Sequence, residues 1–291
     1  MTNRRKFVEL LTVLPFSVSF LEMKAYTQSA NPPVAQSSGR VLDPADGSPV
    51  GGQLPDQKWK VHDRSRPQAR QVVPGLPFAE ERPPSDAIVL FDGKDLSRWM
   101  TRGRDGKLSE PDWKVENGCM ELVPKAGSLA TKEAFGDCQL HLDWMTPTGM
   151  DASRHGQNRG NSGVILMGKY EIQVLSSYDN PTYADGAAGA IYGLYPPMVN
   201  PCRPEGEWNS YDVVFKAPRF EGDQLKKAAS ITLLFNGVMV HDHVELLGST
   251  VVLPLAKYQP HAPELPLMLQ GHDGPVRYKN IWIRRLMGYD A

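Results

Sequence analysis

The segment Asn161-Ser162-Gly163-Val164-Ile165-Leu166-Met167-Gly168-Lys169-Tyr170-Glu171-Ile172-Gln173-Val174 reads as two short strands joined at Gly168-Lys169. Side chains alternate across a strand, so Tyr170, Ile172 and Val174 share one face while Glu171 and Gln173 share the other. The apolar set suits an interior between sheets, which turns the carboxylate and the amide outward. A two-residue turn would set Met167 opposite Tyr170, Leu166 opposite Glu171 and Val164 opposite Gln173, with Ser162 on the face of Glu171. An acid and an amide in mid-sheet fit two descriptions, an ordinary wetted surface or a surface that grips a polar ligand.

The same grammar extends outward. Leu140, Leu142 and Trp144 alternate with His141 and Asp143, the period-two pattern of a half-buried strand. Further strands are predicted at 88–91, 113–116, 119–123, 138–144, 163–167, 170–175, 211–216, 229–235, 238–241, 267–270 and 276–285. Asp92-Gly93, Glu116-Asn117-Gly118, Asn236-Gly237 and Asp273-Gly274 punctuate them, and Asn236-Gly237 is the strongest hairpin signal. No long amphipathic helix and no strand–helix alternation is visible, which argues against a βαβ sheet. The expectation is an all-β, two-sheet antiparallel β-sandwich.

The chain has 291 residues and a formal net charge of -1, so it lacks the electrostatic footprint of a nucleic-acid binder. Arg4-Arg5-Lys6 precedes the apolar run Leu10–Leu21, a twin-arginine-like export signal over residues 1–30 too short and interrupted for a stable membrane span. That start implies a periplasmic or otherwise exported protein. Residues 31–85 form a Pro- and Gly-rich extension in which Trp59 and His62 suggest packing rather than a bare linker. The sandwich domain follows over 86–291. Cys119, Cys138 and Cys202 leave at least one thiol unpaired; Cys119 and Cys138 fit either a cross-strand bridge or two buried thiols.

Several groups suit chemistry. Tyr178, Asp179, Asn180, Tyr183 and Asp185 crowd aromatic rings and hydrogen-bonding groups into one loop, the kit that recognises sugars. Trp208 offers a ring face to sugar C–H groups or fills core. Glu207 is an acid/base candidate or an ion-pair partner, and with Glu171 it supplies the two carboxylates of an ordinary glycoside hydrolase. His241 and His243, two apart on a strand, suit a divalent metal. His272 suits proton transfer. Lys279 and Arg277 fall on one face of the last strand, Tyr278 and Asn280 on the other, and a cation there would stabilise an oxyanion.

Leu90-Phe91-Asp92-Gly93-Lys94-Asp95-Leu96 with Trp99, then Trp113-Lys114-Val115-Glu116-Asn117-Gly118, Asn161-Ser162-Gly163 and Tyr170-Glu171-Ile172-Gln173 resemble the 3-keto-disaccharide hydrolase domain family. So do Gly189-Ala190-Ile191-Tyr192, Gly206-Glu207-Trp208-Asn209, Phe235-Asn236-Gly237, Leu269-Gln270-Gly271-His272 and the closing 276–284. The likeness runs in order from about residue 86 to 287, and His62-Asp63-Arg64 with Arg66-Pro67 resembles an N-terminal extension of one branch. The resemblance implies a concanavalin A-like sandwich, or jelly roll. It also implies opening of 3-keto-glycosides by removal of the C2 proton, β-elimination of the C1 substituent and hydration. It marks Glu171, His272 and Glu207 as catalytic candidates, with Glu171 or His272 as the base. Asn161, Gln173, Tyr192, Trp208, Gln270 and Lys279 become candidate sugar contacts, and a divalent metal ion or a cation would hold the enolate oxygen. Lys279 stands where the family usually has arginine, and Phe235 where a histidine is frequent, which weakens a metal site built on His241 and His243. A non-catalytic, lectin-like carbohydrate-binding module is the alternative.

Overall fold

The computed structural model describes residues 50–55, 57–76, 82–103, 105–150, 154–250, 257–272 and 274–288. The export signal expected at 1–30 lies outside them. Among the described residues no helix is long and apolar enough to cross a membrane.

In chain order the strands are β1 (Arg70–Gln71), β2 (Ile88–Phe91), β3 (Trp99–Arg102), β4 (Leu108–Ser109), β5 (Lys114–Glu116), β6 (Cys119–Glu121), β7 (Ser128–Phe135), β8 (Cys138–Met145), β9 (Ser162–Leu166), β10 (Tyr170–Val174), β11 (Val199–Asn200), β12 (Asn209–Lys216), β13 (Arg219–Glu221), β14 (Gln224–Lys227), β15 (Ser230–Phe235), β16 (Val238–Glu245), β17 (Leu265–Leu269) and β18 (Arg277–Arg285). Two antiparallel sheets dominate. A six-stranded sheet runs β10-β9-β17-β7-β3-β4, and an eight-stranded sheet runs β16-β15-β12-β8-β18-β6-β5 with β2 also on β18. The expected all-β sandwich is what forms.

Alternation builds the interior. Leu140, Leu142 and Trp144 of β8 and Tyr211, Val213 and Phe215 of β12 are buried against Val164, Ile172, Val174, Leu267 and Leu269 of the other sheet. The turns also follow sequence. Asn236 and Gly237 take φ of 52° and 75°, and Asn117 and Gly118 take 52° and 74°. Both pairs occupy left-handed backbone that Asn and Gly adopt at low cost, which closes β15–β16 and β5–β6 tightly.

The central hairpin departs from expectation by one position. Three residues, not two, separate the paired Leu166 and Tyr170, so Glu171 faces Ile165, Gln173 faces Gly163 and Val174 faces Ser162. Met167 and Gly168 both take positive φ, 54° and 61°, and the Lys169 N–H donates to Leu166 O at 3.0 Å. The longer loop shifts every partner by one, and a shift of one exchanges faces. Ser162 therefore points into the core, and Gly163 lies on the outer face with Glu171 and Gln173.

Ser162 is used inside. Tyr278 of β18 donates its hydroxyl to Ser162 Oγ at 2.7 Å, and Ser162 donates to Gln270 O at 2.7 Å. This chain crosses the interior and pins the end of β17 that carries Gln270.

Residues 50–76 pack onto the same unit. Gln53 pairs with Lys60, Leu54 and Val61 are buried, and β1 runs parallel to β11. The His62 N–H donates to Asp185 Oδ2 at 2.9 Å. All three cysteines are buried free thiols, so no bridge joins Cys119 to Cys138. Burial pushes the Cys138 and Cys202 thiols up to about 12.

Candidate active site

The outer face of the six-stranded sheet is built in rows. Glu171 faces Ile165, Ile165 faces Met268, Met268 faces Ala130 and Ala130 faces Met100. The neighbouring row begins with Gln173 opposite Gly163 and ends with Ser128 opposite Arg102. Between them the Gln270 N–H donates to Gly163 O at 2.8 Å, and Gly271 N–H donates to Ser128 Oγ at 3.0 Å. Five strands at the usual spacing give this face a span of about 19 Å.

Glu171 is 7% exposed, and burial alone raises its carboxyl to about 8. The Glu171 backbone is held on both sides, by Thr250 Oγ1 accepting its N–H at 2.9 Å and by the Tyr192 N–H donating to its carbonyl at 3.1 Å. Gly163 makes room for the side chain: a Cβ there would lie 2.1 Å from Glu171 Oε1.

Gln173 is anchored by its amide nitrogen, which donates to Gln157 Oε1 at 2.8 Å and meets Asn161 Oδ1 at 3.5 Å. Asn161 Nδ2 donates to Gln157 O at 2.9 Å, and Gln157 Nε2 donates to Thr182 Oγ1 at 3.0 Å and Gly186 O at 2.8 Å. This lattice fixes which way the amides point. It leaves two buried acceptors, Gln173 Oε1 and Gln270 Oε1, without a hydrogen-bond partner among the described residues. A buried orphan acceptor costs about 1–3 kcal/mol, so two on one face mark where a ligand's donors belong. Together with Glu171 they form a set of hard oxygens. A sugar's hydroxyls fit it. Among the described residues no three His, Cys, Asp or Glu side chains group together as a metal site.

Tyr192 stands beside Glu171 across the bridge Ile172–Ile191, and its hydroxyl lies 2.7 Å from that of Tyr183. His62 stacks on Tyr183 with centroids 4.0 Å apart and meets Tyr192 edge-on at 5.2 Å. His272 lies two residues past Gln270 and is half-buried; Gly271 between them is pressed so closely on Gly127 that a Cβ would lie 2.5 Å from Gly127 O.

The predicted residues thus divide. Glu171, Gln173, Asn161, Gln270 and Tyr192 gather at this face, with His272 at its end. Glu207, Trp208 and Lys279 do not join them: they line a cavity of about 710 Å³ on the outer face of the eight-stranded sheet. Glu171 and Glu207 thus belong to different faces of the sandwich, not to one slot of the kind that paired carboxylates form about a sugar.

Other expectations also change. Asn180 is spent on Gly156 and Ser176, Tyr183 on His62 and Tyr192, and Asp185 on His62, so these three brace the fold from within, while Tyr178 and Asp179 stay exposed. His241 is buried, with Nε2 2.8 Å from Gly189 O, and burial lowers it to about 4; His243 is exposed at φ 45° beyond an irregularity in β15–β16 pairing. That break separates the two imidazoles and removes the metal geometry. Asn280 takes φ 49° within a bulge between Lys279 and Trp282, which swings it to the side of Lys279 rather than away from it.

Sequence reading missed Gln157 and Arg102. Gln157 sits in a short 3-10 turn with no periodic signal. Arg102 is exposed, with Nη1 3.9 Å from Met268 Sδ, and lies on a strand the pattern did not reveal.

The profile of 3-keto-alpha-glucoside-1,2-lyase-like domains matches residues 86–284. A crystal structure provisionally assigned as a glycosyl hydrolase from Parabacteroides distasonis is 38% identical, with a TM-score of 0.65 over 72% of this chain and 95% of that one. Two more from that organism, with the same provisional assignment, are 19% and 21% identical, with TM-scores of 0.51 and 0.50 over 69% of this chain and 94% and 99% of theirs; at these identities they speak to the fold alone. Among curated proteins none matches. The chain belongs to the family of 3-keto-alpha-glucoside-1,2-lyase-like domains.

Proposed function

We propose that this protein opens glycosides whose sugar carries a ketone at C3, and that Glu171 is the base. The observation that carries the reading is the carboxyl of Glu171, raised to about 8 by burial and set beside the orphan amide oxygens of Gln173 and Gln270. A ketone at C3 acidifies the C2 proton, and a carboxylate with a raised pKa is a stronger base than an ordinary one. Glu171 takes the C2 proton. The C2–H electron pair forms the C2=C3 enolate, which collapses to expel the C1 substituent as C1=C2 forms. The protonated Glu171 returns its proton to the departing oxygen. Water adding to C1 of the resulting enone completes a net hydrolysis; release of the enone instead makes the reaction a lyase. Gln173 and Gln270 accept from sugar hydroxyls and orient the ring.

Family membership and the glycosyl hydrolase assignment of the 38% identical structure support carbohydrate as the substrate class. The test is release of aglycone from a 3-keto-glucoside by the wild type and by Glu171→Gln. Loss of at least about 10³-fold in kcat is expected of the variant, the order of a lost acid–base catalyst. Undiminished release would end the role of Glu171, and no release by the wild type from any 3-keto-glycoside would favour a binding module.

The export start at Arg4-Arg5 leads us to propose action outside the cytoplasm. Cell fractionation of the full chain and of a variant with both arginines replaced by lysine tests it; an unchanged distribution would overturn the twin-arginine route.

A further inference from the structure

The cavity on the other face is a built surface rather than a gap. Strand register makes a grid there. Asp212 faces His141 and His141 faces Trp282, while one row along, Ser210 faces Asp143 and Asp143 faces Lys279. The rows are roughly 6–7 Å apart along the strands and their members about 4.8 Å apart across them, the footprint of a pyranose ring. A regular strand would show this face only one of Lys279 and Asn280. The bulge after Lys279, with Asn280 held at φ 49°, brings both side chains to it. Left-handed backbone at a non-glycine residue is sparsely populated, and bulges recur where a side chain is re-aimed.

Charged groups of both signs line the cavity, Asp143, Glu207 and Asp212 among Arg82, His141, Arg203 and Lys279. His141 Nδ1 lies 2.7 Å from Asp212 Oδ1 and its Nε2 3.6 Å from Asp143 Oδ1, while Lys279 Nζ lies 4.7 Å from the Trp208 ring centre. Among the described residues the contacts of Asp143 are long, to Asn280 Nδ2 at 3.5 Å and to His141 at 3.6 Å, so its oxygens keep acceptor capacity. The volume, about 710 Å³, falls in the range of small-ligand sites, roughly 300–1,000 Å³. Acidic and basic groups are interspersed along the wall, so it presents no patch of a single sign to an ion. A ring of hydroxyls, each both donor and acceptor, finds carboxylate acceptors beside amide and ammonium donors, with an indole at the edge for its C–H face.

We propose that the outer face of the eight-stranded sheet is a second carbohydrate-binding site that takes a neutral saccharide through Asp143, Lys279, Asn280 and Trp208, on the opposite side of the sandwich from Glu171. The site holds sugar without transforming it, and its occupancy does not depend on the chemistry at Glu171.

The experiment is an NMR titration of the full-length protein with methyl glucoside and maltotriose, following the Trp208 indole and the backbone amides of Asp143 and Asn280, with glucuronate and inorganic phosphate as charged comparators. A neutral saccharide is expected to shift the Trp208 indole with a millimolar Kd, unchanged in Glu171→Gln and at least tenfold weaker in Lys279→Met and in Asp143→Asn. Shifts confined to the Glu171 face, a response to the charged comparators only, loss in Glu171→Gln, or unaltered binding in both Lys279→Met and Asp143→Asn would each overturn the proposal.

Discussion

Gly163 lies directly beneath the carboxylate of Glu171: a Cβ at position 163 would sit 2.1 Å from Oε1 and 2.9 Å from Cδ. The requirement is steric and not one of backbone freedom, because an ordinary strand conformation at 163 admits alanine. Gly163→Ala is therefore expected to fold with an unchanged circular dichroism spectrum and to push the Glu171 carboxyl aside. Misplacement by about 1 Å costs on the order of 10²-fold in rate. The loss should fall on kcat, and full activity in a folded Gly163→Ala protein would show that Glu171 is not held for chemistry.

The raised carboxyl of Glu171 links pH to both rate and stability. Its folded value of about 8 exceeds the ordinary 4.5. Between those values the native state holds a proton that the unfolded state has lost, so stability falls as pH rises through this window. Glu171→Gln carries no such proton. The variant's Tm is expected to exceed that of the wild type at pH 8.5 and to show a narrower gap at pH 5, where both are neutral. For the wild type, kcat/KM on a 3-keto-glucoside should rise with pH to a plateau, with a midpoint near 8 set by ionisation of the base. A flat profile between pH 6 and 9, or a Glu171→Gln protein less stable at pH 8.5, would contradict this.

The faces of β10 were legible because period-two alternation survives any error in the turn: Ile172 must be inside, so Glu171 must be outside. The partners of β10 were not, because register depends on loop length, and Met167 carries a positive φ that no sequence preference announces. The strand Ser128–Phe135 was invisible for a related reason. Its Ala130, Ala134, Lys132 and Glu133 have weak strand propensity, and the segment is drawn into the sheet by pairing on both sides, with β3 and β17. Missing it hid Arg102, which owes its place on the Glu171 face to that pairing. The division of candidates between two faces was beyond reach as well, since Glu207 and Trp208 lie in an irregular segment whose direction no periodicity sets.

His62 connects the N-terminal segment to the strand of Glu171. It is buried, it stacks on Tyr183 at 4.0 Å, Tyr183 meets the Tyr192 hydroxyl at 2.7 Å, and Tyr192 N–H holds the Glu171 carbonyl at 3.1 Å. His62→Ala removes a buried ring from this stack and should destabilise by about 2–4 kcal/mol, in the range of large-to-small substitutions in a packed interior. His62→Phe keeps a ring on Tyr183 and the backbone N–H that donates to Asp185, but it removes the imidazole whose charge favours the Asp185 carboxylate, so only part of the stability should return. Urea denaturation of the three proteins checks this. Equal stability of His62→Ala and wild type would mean that the extension rests on the domain without bracing it.

His141 offers the opposite test of electrostatics. Burial alone would lower its imidazole, but the hydrogen bonds and charges of Asp143 and Asp212 outweigh burial and raise it from 6.5 to about 9. A raised basic group stabilises fully below its unfolded value of about 6.5, and that contribution is lost as pH rises through about 9. Asp212→Asn removes the 2.7 Å partner and should cost about 1–2 kcal/mol at pH 6, as for a charge-assisted hydrogen bond at a half-exposed site. The difference from wild type should shrink above pH 9, where His141 is neutral in both. Paired urea titrations at pH 6 and pH 9.5 measure the change, and the NMR midpoint of the His141 ring should drop from about 9 in the wild type toward 6.5 in the variant. A deficit that stays constant across this range, with no movement of the midpoint, would assign Asp212 to packing rather than to charge.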